Sequence, residues 1–374
     1  MEYRKLRVII SGGGTGGHIF PALSIANKLK ELNPETEILF VGAEGRMEME
    51  KVPAAGYEII GLPVSGLQRK LTLSNFALPF KVLKSIRMAK KVIRKFKPDI
   101  VIGVGGYASA PLLWAAGRLG VPTLIQEQNG FAGLTNKIVG KKALKICVAY
   151  EGMERFFPAD RIVFTGNPIR KEITPATEQM KQEAYDFYGL NPDKKHLFIV
   201  GGSLGSGTLN NAMKIWIENG CPGGENIEII WQCGKYYKSS IDSFMERFSG
   251  DSRTAGIQYS DFIQRMDLAY AAADVVISRS GASSVSELCA AHKASIFVPS
   301  PNVAEDHQTH NAMALVSKDA ALMVKDNEAG DKLMKTACRL LEDPERIATL
   351  EKNIAVLAKT EAAMDIAKEV YNII

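Results

Sequence analysis

The chain is 374 residues long, 46% hydrophobic and 23% charged, with a formal net charge of +5. That length favours two ordinary domains over a single core, and the composition is that of a soluble globular protein. Five widely spaced cysteines without a CxxC pair exclude a disulfide framework or zinc site, and no stretch approaches the ~20 apolar residues of a membrane-spanning helix.

The N-terminus, MEYRKLRVII, meets a glycine loop after too few apolar residues for a signal peptide, so the chain is expected to be made and kept in the cytoplasm. The first predicted strand, from Leu6, runs directly into Ser11-Gly12-Gly13-Gly14-Thr15-Gly16-Gly17-His18. Five glycines in six positions let a backbone come close to a ligand, and a helix starting there turns its positive end toward an anion. Gly12-x-Gly14-x-x-Gly17 matches the dinucleotide fingerprint. That reading also needs an acidic residue about 20 positions on, and Glu44 lies ~27 past Gly17. A nicotinamide or flavin enzyme is therefore disfavoured.

A second strand is predicted near Glu37. Between Glu58 and Asp99 the chain has no acidic residue and ten cations, an asymmetry that asks for an anionic partner. From Lys81 to Phe96 the spacing predicts a helix with Val82, Leu83, Ile86, Ala89, Val92, Ile93 and Phe96 on one half and seven cations on the rest. The apolar half is expected to pack on the sheet. Just before it, Leu67, Leu71, Leu73, Phe76, Ala77, Leu78, Pro79 and Phe80 are apolar candidates for exposure. With Lys84, Arg87, Lys91 and Arg94 they suit docking on an anionic membrane surface.

Strands follow near Asp99, Pro122, Lys145 and Arg161, with a helix over 108–119. The Asp99 strand leads into a further glycine loop, Gly103-Val104-Gly105-Gly106-Tyr107-Ala108-Ser109. Gly166 to Pro175 has linker composition. A second series of strands begins near His196, Ile227, Ile257, Asp274, Ala294 and Ala320, with a helix over 282–292. His196–Val200 runs into Gly201–Gly207, a second strand-to-glycine-loop junction about 190 residues after the first. The alternation specifies an α/β fold of two doubly wound, parallel-sheet domains, 1–168 and 169–358, with ligand at the carboxyl ends of the strands. Residues 361–374 read as a helix whose pattern does not say which domain it joins.

At a fourth junction, Ser278-Arg279-Ser280-Gly281-Ala282-Ser283-Ser284-Val285-Ser286-Glu287, Glu287 falls about one turn inside a helix, where a carboxylate can accept both hydroxyls of a ribose. Arg279 could screen a pyrophosphate, so the second domain reads as the holder of a nucleoside diphosphate. The plainer reading is a helix capped by Ser283 or Ser284 with Glu287 completing a capping box. No Asp-x-Asp pair occurs, and His307-x-x-His310 beside Glu305 and Asp306 lacks a clear third ligand. No metal, cofactor or nucleic acid is expected.

Eight segments, in order, then carry a resemblance: GGGTGGH (12–18), GVGGYASAP (103–111), QEQNGFAGLTNK (126–137), GNPIR (166–170), GGSLGS (201–206), WQCGK (231–235), RSGASSVSE (279–287) and DHQTHNA (306–312). The chain resembles the MurG family of glycosyltransferases, which add N-acetylglucosamine to the lipid-linked muramyl-pentapeptide precursor of peptidoglycan. The resemblance implies a GT-B fold, two Rossmann-like domains with a cleft between them, and a C-terminal helix (359–374) returning to the first domain. It implies UDP-N-acetylglucosamine as donor and undecaprenyl-pyrophosphoryl-MurNAc-pentapeptide as acceptor. A peripheral place on the cytoplasmic face of the bacterial inner membrane and partners in cell-wall synthesis follow. A hydrolysing UDP-N-acetylglucosamine 2-epimerase, or another GT-B transferase, is the alternative.

Carried onto matching positions, the resemblance places Thr15, Gly16 and Gly17 near the donor, Asn129 at its sugar, and Arg170 reaching in from the hinge. Ser203 meets the diphosphate, and Ile263 borders the uracil. Ala282, Ser283, Ser284, Val285, Ser286 and Glu287 hold phosphate and ribose, and Gln308 contacts sugar hydroxyls. Gly13, Gly14, Gly105, Gly106 and Tyr107 would face the acceptor. One departure is visible: Gln126 stands where several relatives have histidine. His18, ending the first loop, is the preferred general base for the acceptor hydroxyl because an imidazole titrates near neutrality. Glu127 is the runner-up.

Overall fold

The computed structural model describes residues 3–64, 78–202 and 204–374. The expectations on Leu67, Leu71, Leu73, Phe76 and Ala77, on the side chains of Leu78 and Pro79, and on Ser203 lie outside the described residues. The chain forms two compact units, Met1–Ile169 with Thr360–Ile374, and Arg170–Lys359.

In the first unit, β1 (Arg7–Gly12), α1 (Gly16–Leu32), β2 (Glu37–Ala43), α2 (Glu48–Ala54) and β3 (Glu58–Leu62) come first. They are followed by α3 (Leu78–Phe96), β4 (Ile100–Gly105), α4 (Ser109–Arg118), β5 (Thr123–Glu127), α5 (Leu134–Val139), β6 (Lys145–Val148) and β7 (Ile162–Phe164). The strands are parallel in the order β3-β2-β1-β4-β5-β6-β7. Strands covered on both faces must be apolar at successive positions, and Val8, Ile9 and Ile10 are all fully buried. Val8 and Ile10 pack with Ile19, Ile25 and Leu29 of α1, while Ile9 joins Ile93 of α3 and Leu112 of α4 on the opposite face. β3 is absent from the strands expected from sequence. It is a short edge strand of sequence EIIGL, with a glycine and little alternation to mark it.

The basic helix forms as expected, with Ala89 and Ile93 in the core. Leu83 departs from the expected packed face: it is 46% exposed and Phe80, one turn earlier, is 77% exposed.

The second unit contains α6 (Glu178–Tyr188), β8 (Lys195–Val200), α7 (Gly207–Glu218), β9 (Ile227–Gln232), α8 (Lys238–Glu246), β10 (Ile257–Ser260) and α9 (Met266–Ala272). Then come β11 (Val275–Ser278), α10 (Ala282–Ala290), β12 (Ala294–Phe297), α11 (His307–Val316), β13 (Leu322–Met323), α12 (Ala329–Leu341) and α13 (Pro344–Ala355). Its strands are parallel in the order β10-β9-β8-β11-β12-β13. Leu197, Ile199, Ile229 and Trp231 share a core with Met213 and Trp216 of α7 and Leu333 and Ala337 of α12. A last helix, α14 (Ala362–Ile373), lays Ile366, Ala367 and Val370 into the core formed by β1 and α1. All five cysteines are unbonded and buried.

Strand order reverses between β1 and β4 in one sheet and between β8 and β11 in the other. In open parallel sheets the loops leaving the strands diverge at such a point, which is where ligands are generally bound.

At the opposite end of the second sheet, His196 is buried, with Nε2 3.1 Å from the Asn191 carbonyl and carboxylates of Glu228 and Asp274 at 3.7 and 3.9 Å. Burial pushes its pKa below 6.5, and the two carboxylates only partly oppose that. The folded state therefore favours the neutral ring. Stability should be flat above about pH 6.5, then decline as the unfolded chain takes up a proton the folded chain refuses. Denaturant midpoints measured from pH 8 to 5 should show this slope, and His196→Gln should flatten it.

Candidate functional site

In the first unit the loops after β1 and β4 interlock backbone to backbone. Gly13 N donates to the Gly105 carbonyl at 3.3 Å, and the Ser109 hydroxyl bonds Gly105 O at 2.8 Å and Ser11 O at 3.1 Å. Gly106 has φ +94°, and a Cβ there would lie 2.5 Å from Gly13 O. Gly105 has φ +111°, and a Cβ would lie 2.8 Å from the His18 ring. Both positions thus require glycine, one so the loops can close and one so the imidazole can approach the backbone.

Sequence reasoning missed the residue beneath this loop. Glu48, at the start of α2, is 1% exposed and accepts from Gly14 N at 2.8 Å and Ala43 N at 3.0 Å. A carboxylate already holds an amide that the dinucleotide reading would have offered to phosphate, and its charge repels an anion there. Nothing in the spacing from Gly14 to Glu48 signals this, because β2 intervenes.

Thr15 is the N-cap residue of α1, its carbonyl accepting from the amides of His18 and Ile19 at 3.1 and 3.2 Å. Gly16 and Gly17 open the helix, and His18 follows within its first turn. The His18 Nδ1 lies 2.9 Å from Gln128 Oε1. Tyr107 is exposed at the rim, its ring 5.8 Å from the Arg46 guanidinium.

Glu127 is 2% exposed and accepts from Asn129 N (3.1 Å), Asn129 Nδ2 (3.4 Å), Gly133 N (3.0 Å) and Asn136 Nδ2 (2.9 Å). Those four bonds fill the roughly four acceptor positions of a carboxylate. The geometry makes Glu127 the anchor of the loop that carries Asn129.

In the second unit, α10 begins at Ala282 with Gly281 as N-cap residue and no side chain capping it. The capping-box reading is therefore corrected: Ser283 and Ser284 lie in the first turn, half-buried, and neither caps the helix. Val285 is buried in the core and Ser286 half-buried.

Glu287, one turn in, is buried. Arg170 grips it with a planar fork, Nε to Oε1 and Nη2 to Oε2, both 2.8 Å. The Tyr270 hydroxyl adds a third bond to Oε2 at 3.3 Å. Burial, then the Glu287 charge, pushes the Tyr270 phenol well above its ordinary range, so it remains a donor. Burial opposes the charge of Arg170, but Glu287 outweighs it and holds the guanidinium above its usual value.

Arg279 Nη1 bonds the Val298 carbonyl at 2.8 Å and Asp326 Oδ1 at 2.5 Å, which ties the end of β11 to the segment before α12. Gln308 is pinned as well: Oε1 accepts from Ser300 N at 2.8 Å, and its carbonyl accepts from the Ser280 hydroxyl at 2.8 Å. The turn into α11 passes through Glu305 and Asp306 at φ +54° and +49°, conformations that non-glycine residues adopt at a cost of order 1–3 kcal/mol.

The loop after β8 is held by Gln232, whose Oε1 accepts from Gly201 N at 2.9 Å and whose Nε2 donates to Gly202 O at 3.0 Å. Ile263 is buried beside the exposed Phe262. Among the described residues no three His, Cys, Asp or Glu side chains gather as metal ligands.

Known proteins place these two units. The N-terminal domain model of glycosyltransferase family 28 matches residues 8–148, and its C-terminal domain model matches 196–370. A UDP-N-acetylglucosamine--N-acetylmuramyl-(pentapeptide) pyrophosphoryl-undecaprenol N-acetylglucosamine transferase of Parabacteroides distasonis is 55% identical, covering 99% of both chains. The protein of the same name from Bacteroides fragilis is 52% identical, over 98% of this chain and 96% of its own. The crystal structure of Acinetobacter baumannii MurG superposes with a TM-score of 0.79 at 28% identity, covering 99% of this chain and 100% of that one. A UDP-N-acetylglucosamine 2-epimerase shares the fold, with a TM-score of 0.65 at 14% identity over 98% of this chain and 95% of its own. With both domain models in order and more than half its residues shared end to end with named transferases, the chain belongs to glycosyltransferase family 28.

Proposed function

We propose that this chain transfers N-acetylglucosamine from UDP-N-acetylglucosamine to the 4-hydroxyl of MurNAc in undecaprenyl-pyrophosphoryl-MurNAc-pentapeptide, the step that completes the lipid-linked disaccharide of peptidoglycan. The observation that carries it is the 55% identity, over 99% of both chains, with a transferase named for that donor and acceptor. The acceptor oxygen attacks the anomeric carbon as the bond to the β-phosphate breaks, inverting the centre. The electron pair leaves on UDP, and the hydroxyl proton passes to His18. Glu287 receives the ribose hydroxyls, and the first turn of α10 with Arg170 stabilises the departing diphosphate by preorganised charge. Asn129, on the loop anchored by Glu127, meets the sugar. Mixing protein, UDP-N-acetylglucosamine and a muramyl-pentapeptide lipid analogue should release UDP only when all three are present. UDP released without acceptor would favour the epimerase chemistry instead.

The acceptor's polyprenyl tail fixes the place of work at a bilayer, and we place the chain peripherally on the cytoplasmic face of the bacterial inner membrane. Among the described residues no helix is long and apolar enough to cross a membrane. Phe80 and Leu83 are exposed on the N-terminal half of α3, the helix that carries Lys84, Arg87, Lys91 and Arg94. Trp114 of α4 lies nearby, 5.4 Å from the Lys90 ammonium and 4.9 Å from the Arg118 guanidinium. Each basic residue near an anionic surface contributes about 1 kcal/mol. Replacing Lys84, Arg87, Lys91 and Arg94 by glutamine should abolish sedimentation with phosphatidylglycerol vesicles, and ~1 M salt should release the wild type. Vesicle binding unchanged by both would remove α3 from this role.

A further inference from the structure

Behind His18 lies a chain of buried side-chain amides. The His18 Nδ1 meets Gln128 Oε1 at 2.9 Å. Gln128 Nε2 donates to the Val104 carbonyl at 2.6 Å and to Gln126 Oε1. Gln126 Nε2 donates to Asn167 Oδ1 at 2.9 Å, and Asn167 Nδ2 donates to the Gln128 carbonyl at 3.0 Å. Gln126, Gln128 and Asn167 are 0%, 1% and 2% exposed.

The orientation of each amide follows from its neighbours. Gln128 Nε2 faces only oxygens, those of Val104 and Gln126, so it is the NH2 end and Oε1 is the end presented to the imidazole. An oxygen can only accept, so His18 must carry its hydrogen on Nδ1, which puts the lone pair on Nε2. From His18 through Gln128 and Gln126 to Asn167, each side-chain donor points away from His18. Bonds aligned head to tail polarise one another, which makes Gln128 Oε1 a stronger acceptor than an isolated amide.

We propose that Gln128, Gln126 and Asn167 are positioning residues that lock His18 in the Nδ1–H tautomer and support the positive charge its ring acquires on taking the acceptor's proton. The proposal rests on His18 as the base, and it explains how the chain uses glutamine at position 126. Amides do not titrate, so the acceptor that Gln128 presents to the neutral ring does not change with pH. Asn167 sits two residues before the first unit ends at Ile169, which ties the lock to the start of the linker.

The test uses full-length protein labelled with 15N-histidine, with His18 assigned by the resonance lost in His18→Gln. Wild type should show the Nδ1-protonated form, and Gln128→Leu should move His18 toward the Nε2-protonated form. Gln126→Leu should do so partially. Gln126→Leu should also lower kcat by about 10-fold to 100-fold, part of the ~10²–10⁴ a general base supplies, with donor KM little changed. The acid limb of kcat/KM should move to lower pH in both variants, because the imidazolium loses an acceptor. Gln126→His, which has one donor and one acceptor nitrogen, should restore the Nδ1-protonated form and most of kcat. An Nε2-protonated His18 in wild type would overturn the lock, as would a tautomer and pH limb unmoved by Gln128→Leu in a folded protein. Normal turnover in His18→Gln would instead overturn the base assignment while the spectrum still reported on the lock.

Discussion

His18→Ala should lower kcat by ~10²-fold or more while UDP binding, measured by calorimetry, stays intact. The ring lies over Gly105, within the first turn of α1, and its orientation is set by Gln128. Alanine removes the acceptor for the hydroxyl proton without disturbing α1, whose buried contacts come from Ile19, Ala22, Ile25 and neighbours. The loss should therefore fall on kcat and leave donor KM nearly alone, the signature of an interaction made in the transition state. Near-normal turnover would remove the imidazole from the chemistry. Since the acceptor positions of Glu127 are filled by its own loop, the base would then be sought on the substrate side of the site.

Glu287→Ala should weaken UDP binding by about tenfold to a hundredfold, the range of losing a hydrogen bond to a charged group. Three bonds already reach this carboxylate, two from Arg170 and one from Tyr270. A carboxylate offers roughly four acceptor positions, so receiving two ribose hydroxyls requires at least one of these bonds to open. Arg170 is the partner able to yield, because its side chain is 42% exposed whereas Tyr270 is fully buried. Glu287→Gln keeps the shape and one acceptor and should lose less. If calorimetry gives wild-type UDP affinity for Glu287→Ala, ribose recognition lies elsewhere.

Much of this was legible from residue order because it depends on short-range pattern. Apolar runs ending in glycine mark the strands of a doubly wound sheet, and β1, β4, β8 and β11 each lead into a quoted loop. Glu287 was legible too, because its position one turn inside a helix depends only on helical pitch. Other features depended on side-chain direction, which residue order does not encode. Arg279 follows a strand end just as a phosphate-binding arginine would, and folding places Asp326 2.5 Å from it, a partner that residue order does not show. Leu83 fits the helical stripe, but the side chains of α3 that join the core are Met88, Ala89, Val92, Ile93 and Phe96, and Leu83 lies N-terminal to them and exposed.

The sequence by itself determined two parallel-sheet units, their loops, and the type of chemistry those loops serve. Only the tertiary structure decided which polar groups those loops lean on: Glu48 under Gly14, Arg170 across Glu287, and Gln128 behind His18. The reason is physical. Backbone conformation follows from neighbours a few residues apart, whereas a buried polar group must find its partner wherever the fold brings one, here 34, 117 and 110 residues away.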